Sequence, residues 1–375
     1  MMPKLIHCMK YFSTSHRAPQ VSLAQAVEKG LAPDNGLYMP EKIKPLPQSF
    51  IDGIERLTFH EVAYAVASAF FGEDIPAPDL RRIVAETLTF DTPVVHVNDN
   101  IYSLELFHGP SAAFKDVGAR FMARMLSYFI AQKGSREEIT VLVATSGDTG
   151  SAVANGFLGV KGIKVVVLYP KGKVSEIQEK QFTTLGQNIT AIEVNGTFDD
   201  CQSLVKQAFL DEELNMRLTL TSANSINVAR FLPQAFYYFH GFAQLKRKRL
   251  ADQLVVSVPS GNFGNLTAGL FGHSMGLPIK RFIAANNSND VFYQFLKTGK
   301  YKPKPSVATI ANAMDVGDPS NFARILEMYG NDVEKIRSLI TGATYTDGQI
   351  SECIGRVYKT SAYTLDPHGA CAYMG

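Results

Sequence analysis

Three segments of the chain bring together residue types that could handle an anionic small molecule. The first is Leu254–Asn265, a β-branched run that ends in Pro259-Ser260-Gly261-Asn262-Phe263-Gly264-Asn265 and leads into a helix-like stretch. Gly261 and Gly264 permit tight turning and close approach, so successive N–H groups can point at a phosphate while the helix dipole favours its charge. A plain strand-to-helix turn would have the same composition. The second unit, Thr140–Gly150, has the same shape and ends in TSGDTG at 145–150, where Ser146, Gly147 and Thr149 offer donors beside the carboxylate of Asp148, read here as exposed. Neither loop is GxGxxG or GxxxxGK[ST], and no acidic residue ends a following strand where a ribose would need one, which disfavours dinucleotide binding. The third segment is Leu104–Asp116, in which a single lysine, Lys115, sits among apolar and small residues just ahead of an amphipathic helix. Partial burial there lowers an ammonium pKa, as a Schiff-base lysine needs, and the helix N-terminus adds to the depression. The same context also suits a lysine that snorkels to the surface.

The elements that must position these residues alternate between strand and helix. Thr140–Ala144, Lys164–Tyr169 and Leu254–Val258 are short β-branched runs, each followed by a loop and a helix-like segment, as parallel sheets require. Val117, Phe121, Met125, Leu126 and Phe129 fall at helical spacing, as do Leu204, Val205, Ala208 and Phe209 in Asp199–Leu214, read as one helix. The first ninety residues form a separate reading: a strand-like start, prolines in loops at 33, 40, 45 and 47, and a helix over Phe59–Phe71. Met9–Thr14 reads as an edge strand, a better account of the acid-free N-terminus than an organellar transit peptide. The basic cluster Lys246–Arg249 reads as a helix end in water.

Composition narrows the function class. With 46% hydrophobic residues over 375 positions, the chain can bury a large core divided into two or three domains. Thirty-seven basic against 35 acidic residues leave a net charge of +2, too weak a field to imply nucleic acid or an anionic membrane as partner. Cys8, Cys201, Cys353 and Cys371 lie far apart without CxxC or paired histidine spacing, so no disulfide framework and no metal site is expected, and a reducing, cytoplasmic setting fits. No apolar run approaches the roughly 20 residues of a membrane span.

The wording of the motifs resembles the threonine synthase family of fold-type II pyridoxal-phosphate (PLP) enzymes: FHGPSAAFKD at 107–116, TSGDTG at 145–150, SANSINVAR at 222–230 and PSGNFGN at 259–265. QVSLAQAVEKGLAPDNGLYMPE at 20–41 and ANAMDVGDPSNFAR at 311–324 extend the resemblance over nearly the whole chain, to the branch with an N-terminal domain. It implies a tryptophan synthase β-like α/β fold with two parallel-sheet domains and an additional N-terminal domain. The expected boundaries are 1–90 for the N-terminal domain, 91–130 with 225–375 for the large PLP-binding domain, and 131–224 for the small one.

The resemblance also implies roles. Lys115 would carry the cofactor and act as base, while Gly261, Asn262, Phe263, Gly264 and Asn265 would cradle the cofactor phosphate. Ser146, Asp148 and Thr149 would face the substrate carboxylate and the cofactor hydroxyl; many fold-type II enzymes have Asn in place of Asp148, so a proton shared with that hydroxyl is expected. Ser225 and Arg230 would meet the substrate phosphate, with Asn227 orienting them, because a guanidinium fork suits a dianion. The implied reaction makes L-threonine and phosphate from O-phospho-L-homoserine and water; a related phospho-lyase releasing 2-oxobutyrate, or an inactive PLP-binding homologue, would share every motif. Monomers or homodimers are expected. The family continues past Gly375 into a segment facing the pyridine nitrogen, so the sequence reads as truncated.

Overall fold

The computed structural model describes residues 8–134 and 138–375. They pack as two compact units: one takes in the described parts of Met1–Leu46, Leu57–Thr92 and Leu106–Phe236, the other Pro47–Arg56, Pro93–Glu105 and Tyr237–Gly375.

The first unit is built on a four-stranded, all-parallel sheet in the order Ile189–Val194, Ile163–Pro170, Ile139–Ala144, Thr219–Ser222. Ile139–Ala144 lies between two neighbours and is buried at all six positions, which is why it reads as an apolar run interrupted only by Thr140. Leu142 pairs with Ser222, so the loops beginning at Thr145 and Ala223 leave the same edge of the sheet, at the carboxyl ends of adjacent strands. Open parallel sheets place ligands at that edge. Helix Asp116–Lys133 buries Val117, Phe121, Met122, Met125 and Leu126 and ends at Gly134 in a left-handed cap. It packs on helix Asp148–Phe157, where a Cβ at Gly156 would lie 3.0 Å from Ala119.

Three sequence readings are corrected in this unit, the first being Pro40, which closes strand Tyr38–Pro40 and pairs with Tyr11 instead of lying in a loop. Lys10–Ser13 is the central strand of a three-stranded antiparallel sheet rather than an edge, because the chain doubles back on both sides of it, at Val21–Ser22 and Tyr38–Pro40. The stretch expected as one helix over Asp199–Leu214 is two, Phe198–Leu210 and Glu212–Arg217. Asp211 leaves the helical region at ψ 107° and its carboxylate accepts from the Leu214 N–H at 2.9 Å, ending one helix by capping the next. Helix Phe59–Phe71 lies where its spacing placed it, opened by a capping box between Thr58 and Glu61.

The second unit holds a parallel sheet ordered Val255–Pro259, Arg281–Asn286, Ile340–Thr344, and the hairpin Val94–Asn98 with Ile101–Leu104. Ala285, Met314, Ile350, Cys353, Val357 and Cys371 form one of its apolar clusters. The basic cluster that ends helix Ala235–Arg247 is not simply solvated. Lys246 Nζ donates to the carbonyls of Ile51 (2.8 Å) and Asp52 (2.7 Å) and pairs with Glu55, while Arg247 Nε donates to the Glu55 carbonyl at 2.9 Å. The Ile51 and Asp52 carbonyls are open ones at the end of helix Gln48–Gly53, where a cation is favoured, and Glu55 lies in the 3-10 turn that follows. Among the described residues no helix is long and apolar enough to cross a membrane, and no three His, Cys, Asp or Glu side chains are placed to hold a metal ion.

Candidate active site

Lys115 stands at the N-cap of helix Asp116–Lys133, with its side chain only 17% exposed. Burial pushes its ammonium pKa down; Asp148, whose Oδ2 lies 3.8 Å from Nζ, raises it, and Arg230 lowers it. The turn before it is fixed by Asp116, whose carboxylate is 1% exposed and accepts from Ser111 N–H at 3.0 Å and Ser111 Oγ at 2.7 Å. Gly109 is required there, since a Cβ would come within 2.3 Å of Asp116 Oδ2.

Asp148 opens helix Asp148–Phe157, but its carboxylate is not exposed as the sequence suggested: 18% of the side chain meets solvent, and Gln178 Nε2 donates to Oδ1. Gly147 carries φ +143°, and a Cβ there would strike the Gln178 amide, so only glycine lets that side chain reach the carboxylate. Thr145 Oγ1 accepts from the N–H groups of Gly147 (2.9 Å) and Gly150 (2.8 Å), shaping the loop that carries half-buried Ser146 and Thr149. Gln178 and Thr145 were missed from the sequence. Thr145 had a signal, a threonine followed at two and five residues by glycines at a helix start; Gln178 had none.

Arg230 is 3% exposed in the short helix Val228–Phe231. Its Nε donates to Ala223 O at 2.7 Å and its Nη1 to Lys115 O at 2.9 Å, so part of the fork expected for a phosphate holds backbone carbonyls instead. Gly118 permits this approach, because a Cβ would sit 2.4 Å from Arg230 O. Asn227 caps the same helix by accepting from Ala229 N–H, and its Nδ2 donates to Val27 O at 2.7 Å. Ser225 is half-buried in the turn that joins strand Thr219–Ser222 to helix Val228–Phe231.

In the second unit, strand Val255–Pro259 passes through Ser260–Phe263 into helix Gly264–Ser274. The side chains of this turn face the scaffold. Asn262 Oδ1 accepts from Ser320 N–H at 2.6 Å, Asn265 Nδ2 donates to Pro259 O at 2.8 Å, and the Phe263 ring is buried 4.5 Å from that of Phe292. Phe263 takes the left-handed conformation, φ 61°, and gives the helix no side-chain cap. What the turn offers an anion is therefore its backbone N–H groups as far as Asn265, since Asn265 Oδ1 takes the next one, Leu266 N–H, at 2.9 Å.

The comparisons with known proteins agree with this chemistry. The family described as pyridoxal-phosphate dependent enzyme matches residues 86–375, and the one described as threonine synthase N terminus matches 10–88. Threonine synthase from Escherichia coli is 47% identical over 365 residues, covering 97% of this chain and 84% of that protein. The chain belongs to the threonine synthase family. Threonine synthase from Saccharomyces cerevisiae is 36% identical over 96% of this chain and 82% of its own length. The crystal structure of E. coli threonine synthase superposes with a TM-score of 0.90 at 46% identity, over 98% of this chain and 84% of that one. A PLP-bound threonine synthase from Brucella melitensis gives 0.91 at 37%, over 97% and 84%. Maize serine racemase, at 17% identity and a TM-score of 0.57, shares the fold alone. As a member of the threonine synthase family the chain is a PLP-dependent lyase of fold type II. Each unit, taken by itself, has residues that fit that cofactor: in the first a buried lysine with a destabilised ammonium, in the second a glycine-flanked helix start without an N-cap side chain, for a phosphate.

Proposed function

We propose that the protein converts O-phospho-L-homoserine and water into L-threonine and phosphate. The observation that carries this reading is Lys115, a buried lysine held 3.8 Å from a carboxylate in a chain of this family. Lys115 would hold PLP through its amine, and the N–H groups of Gly261, Asn262, Phe263, Gly264 and Asn265 would hold the cofactor phosphate. When bound, PLP supplies an electron sink that makes protons on the neighbouring carbons of an amino acid acidic.

Burial shifts the Lys115 amine toward its neutral form, the form a base at the substrate Cα needs, and Asp148 steadies the ammonium once the proton has been taken. Gln178 keeps that carboxylate aimed. Ser146 and Thr149 are assigned to the substrate carboxylate, and Asp148 also to a proton shared with the cofactor hydroxyl. Ser225 and Arg230 are assigned to the substrate phosphate, with Asn227 orienting their segment; the Arg230 charge acts at Lys115 and so favours an anionic substrate nearby. Loss of the γ-phosphate and addition of water at Cβ complete the reaction. The division 1–90, 91–130 with 225–375, and 131–224 is kept as the family-based domain reading, as are a cytoplasmic setting, a monomer or homodimer, and no nucleic-acid or membrane partner.

Absorbance of the purified protein with PLP, before and after O-phospho-L-homoserine, tests the proposal when phosphate, threonine and 2-oxobutyrate are quantified together. Threonine in step with phosphate is expected. Phosphate with 2-oxobutyrate would assign the lyase reaction instead, and a visible band without turnover would assign an inactive homologue.

A further inference from the structure

A buried cation stands behind the turn assigned to the cofactor phosphate. Arg324, in helix Phe322–Met328, is 0% exposed, and burial alone lowers its guanidinium to about 9. Its Nη1 donates to Asn321 Oδ1 at 2.5 Å. The Nδ2 of that same amide donates to Asn262 O at 3.0 Å, and Asn321 N–H donates to the same oxygen at 3.4 Å. Asn262 O belongs to the peptide unit whose N–H is that of Phe263, the residue before helix Gly264–Ser274.

Each link polarises the next. A cation on the carbonyl end of the Asn321 amide strengthens its N–H donors. A strong donor on Asn262 O in turn makes the Phe263 N–H more positive. The backing is also rigid: Ser320 N–H holds Asn262 Oδ1, and a Cβ at Gly261 would lie 2.6 Å from Met314 Cα, so the segment 313–321 is packed directly against the turn.

We infer that Arg324 acts through Asn321 as a positioning residue that tunes the Asn262–Phe263 peptide for a phosphate dianion, without touching it. The inference rests on the assignment of this turn to the PLP phosphate. It explains why a chain would keep an arginine fully buried behind a neutral, backbone-lined cup: the charge is conveyed to the anion while the cup stays free of side chains that would crowd it.

The test compares PLP with pyridoxal, which lacks the phosphate, on apoprotein of the wild type, Arg324→Met and Asn321→Ala, with visible absorbance as the binding signal. Both variants break the relay, and Asn321→Ala does so with the cation in place should Arg324→Met fail to fold. Weakening of PLP binding by about tenfold is expected, the size of one charge-assisted hydrogen bond, with pyridoxal binding changed less than about twofold. The ³¹P signal of bound PLP should gain a proton at higher pH in the variants than in the wild type, because the dianion is less favoured. Equal losses for PLP and pyridoxal, or an unshifted ³¹P titration, would overturn the relay and leave Arg324 a packing residue. A wild-type protein that binds no PLP at all would instead overturn the cofactor assignment itself.

Discussion

The carbonyl of Lys115 accepts a hydrogen bond of 2.9 Å from Nη1 of Arg230, so the lysine assigned to the cofactor and the arginine assigned to the substrate phosphate are fastened to each other. Arg230→Lys should therefore harm more than substrate binding. A lysine cannot serve the Ala223 and Lys115 carbonyls with one planar fork; Lys115 O would keep its bond from Ala119 N–H, but the buried Ala223 carbonyl would lose its donor, which destabilises the protein. A loss of about 2–4 kcal/mol in urea unfolding is expected, with kcat falling as well as KM rising. A higher KM at unchanged stability and kcat would mean that Arg230 serves the substrate alone.

Lys115→Ala should abolish the visible band of the lysine-bound cofactor together with turnover. Asp148→Asn keeps an oxygen for Gln178 but removes the charge that favours the ammonium. The Lys115 pKa, already below its ordinary value, should fall further, so the amine becomes neutral at lower pH. PLP uptake by the apoprotein, followed at a series of pH values, should then show its acid limb displaced toward lower pH. Displacement the other way would contradict the pairing with Asp148.

Asp116 should work through the turn it holds. Asp116→Ala strands the Ser111 N–H and should cost roughly 1–3 kcal/mol, whereas Asn keeps an oxygen to accept from that N–H and an amide nitrogen that can donate to Ser111 Oγ. Burial raises the Asp116 pKa above its unfolded value, so its ionisation opposes folding. Its stabilising effect is complete below the unfolded value and declines as pH rises toward the folded one. Melting temperatures measured from acid to neutral pH should therefore show the wild type losing ground to Asp116→Asn as pH increases.

Gly261→Ala places a methyl 2.6 Å from Met314 Cα and 3.1 Å from Ala313 O, both backbone atoms that cannot swing aside. Overpacking of this kind costs roughly 1–3 kcal/mol, and the displaced turn should bind PLP more weakly than pyridoxal loss alone would predict. Calorimetry and PLP titration of the purified variant measure the two effects separately.

Much of the scaffold was legible because strand and helix periods are local. The run Ile139–Ala144, the helix from Asp116 and the helix Phe59–Phe71 all announce themselves by apolar spacing. The break at Asp211 was hidden, since a capping aspartate inside an amphipathic stretch keeps the spacing while ending the helix. The candidate site was legible where glycines and a lysine crowd a short motif. Gln178 was not, because it reaches Asp148 from 30 positions away, and nothing in a lone helical glutamine marks that reach. The commitment of Arg230 to carbonyls was equally hidden: sequence supplies the guanidinium, but only folding brings Ala223 and Lys115 to it.

Asn227 gives its amide to the carbonyl of Val27, two hundred positions earlier in the chain. The segment around Val27 is thus stitched to the stretch assigned to the substrate. Anyone trimming the chain to a minimal catalytic fragment by cutting ahead of the lysine motif would unpick that stitch, and the fragment would carry every recognisable motif while having lost the hand that holds one of them in place.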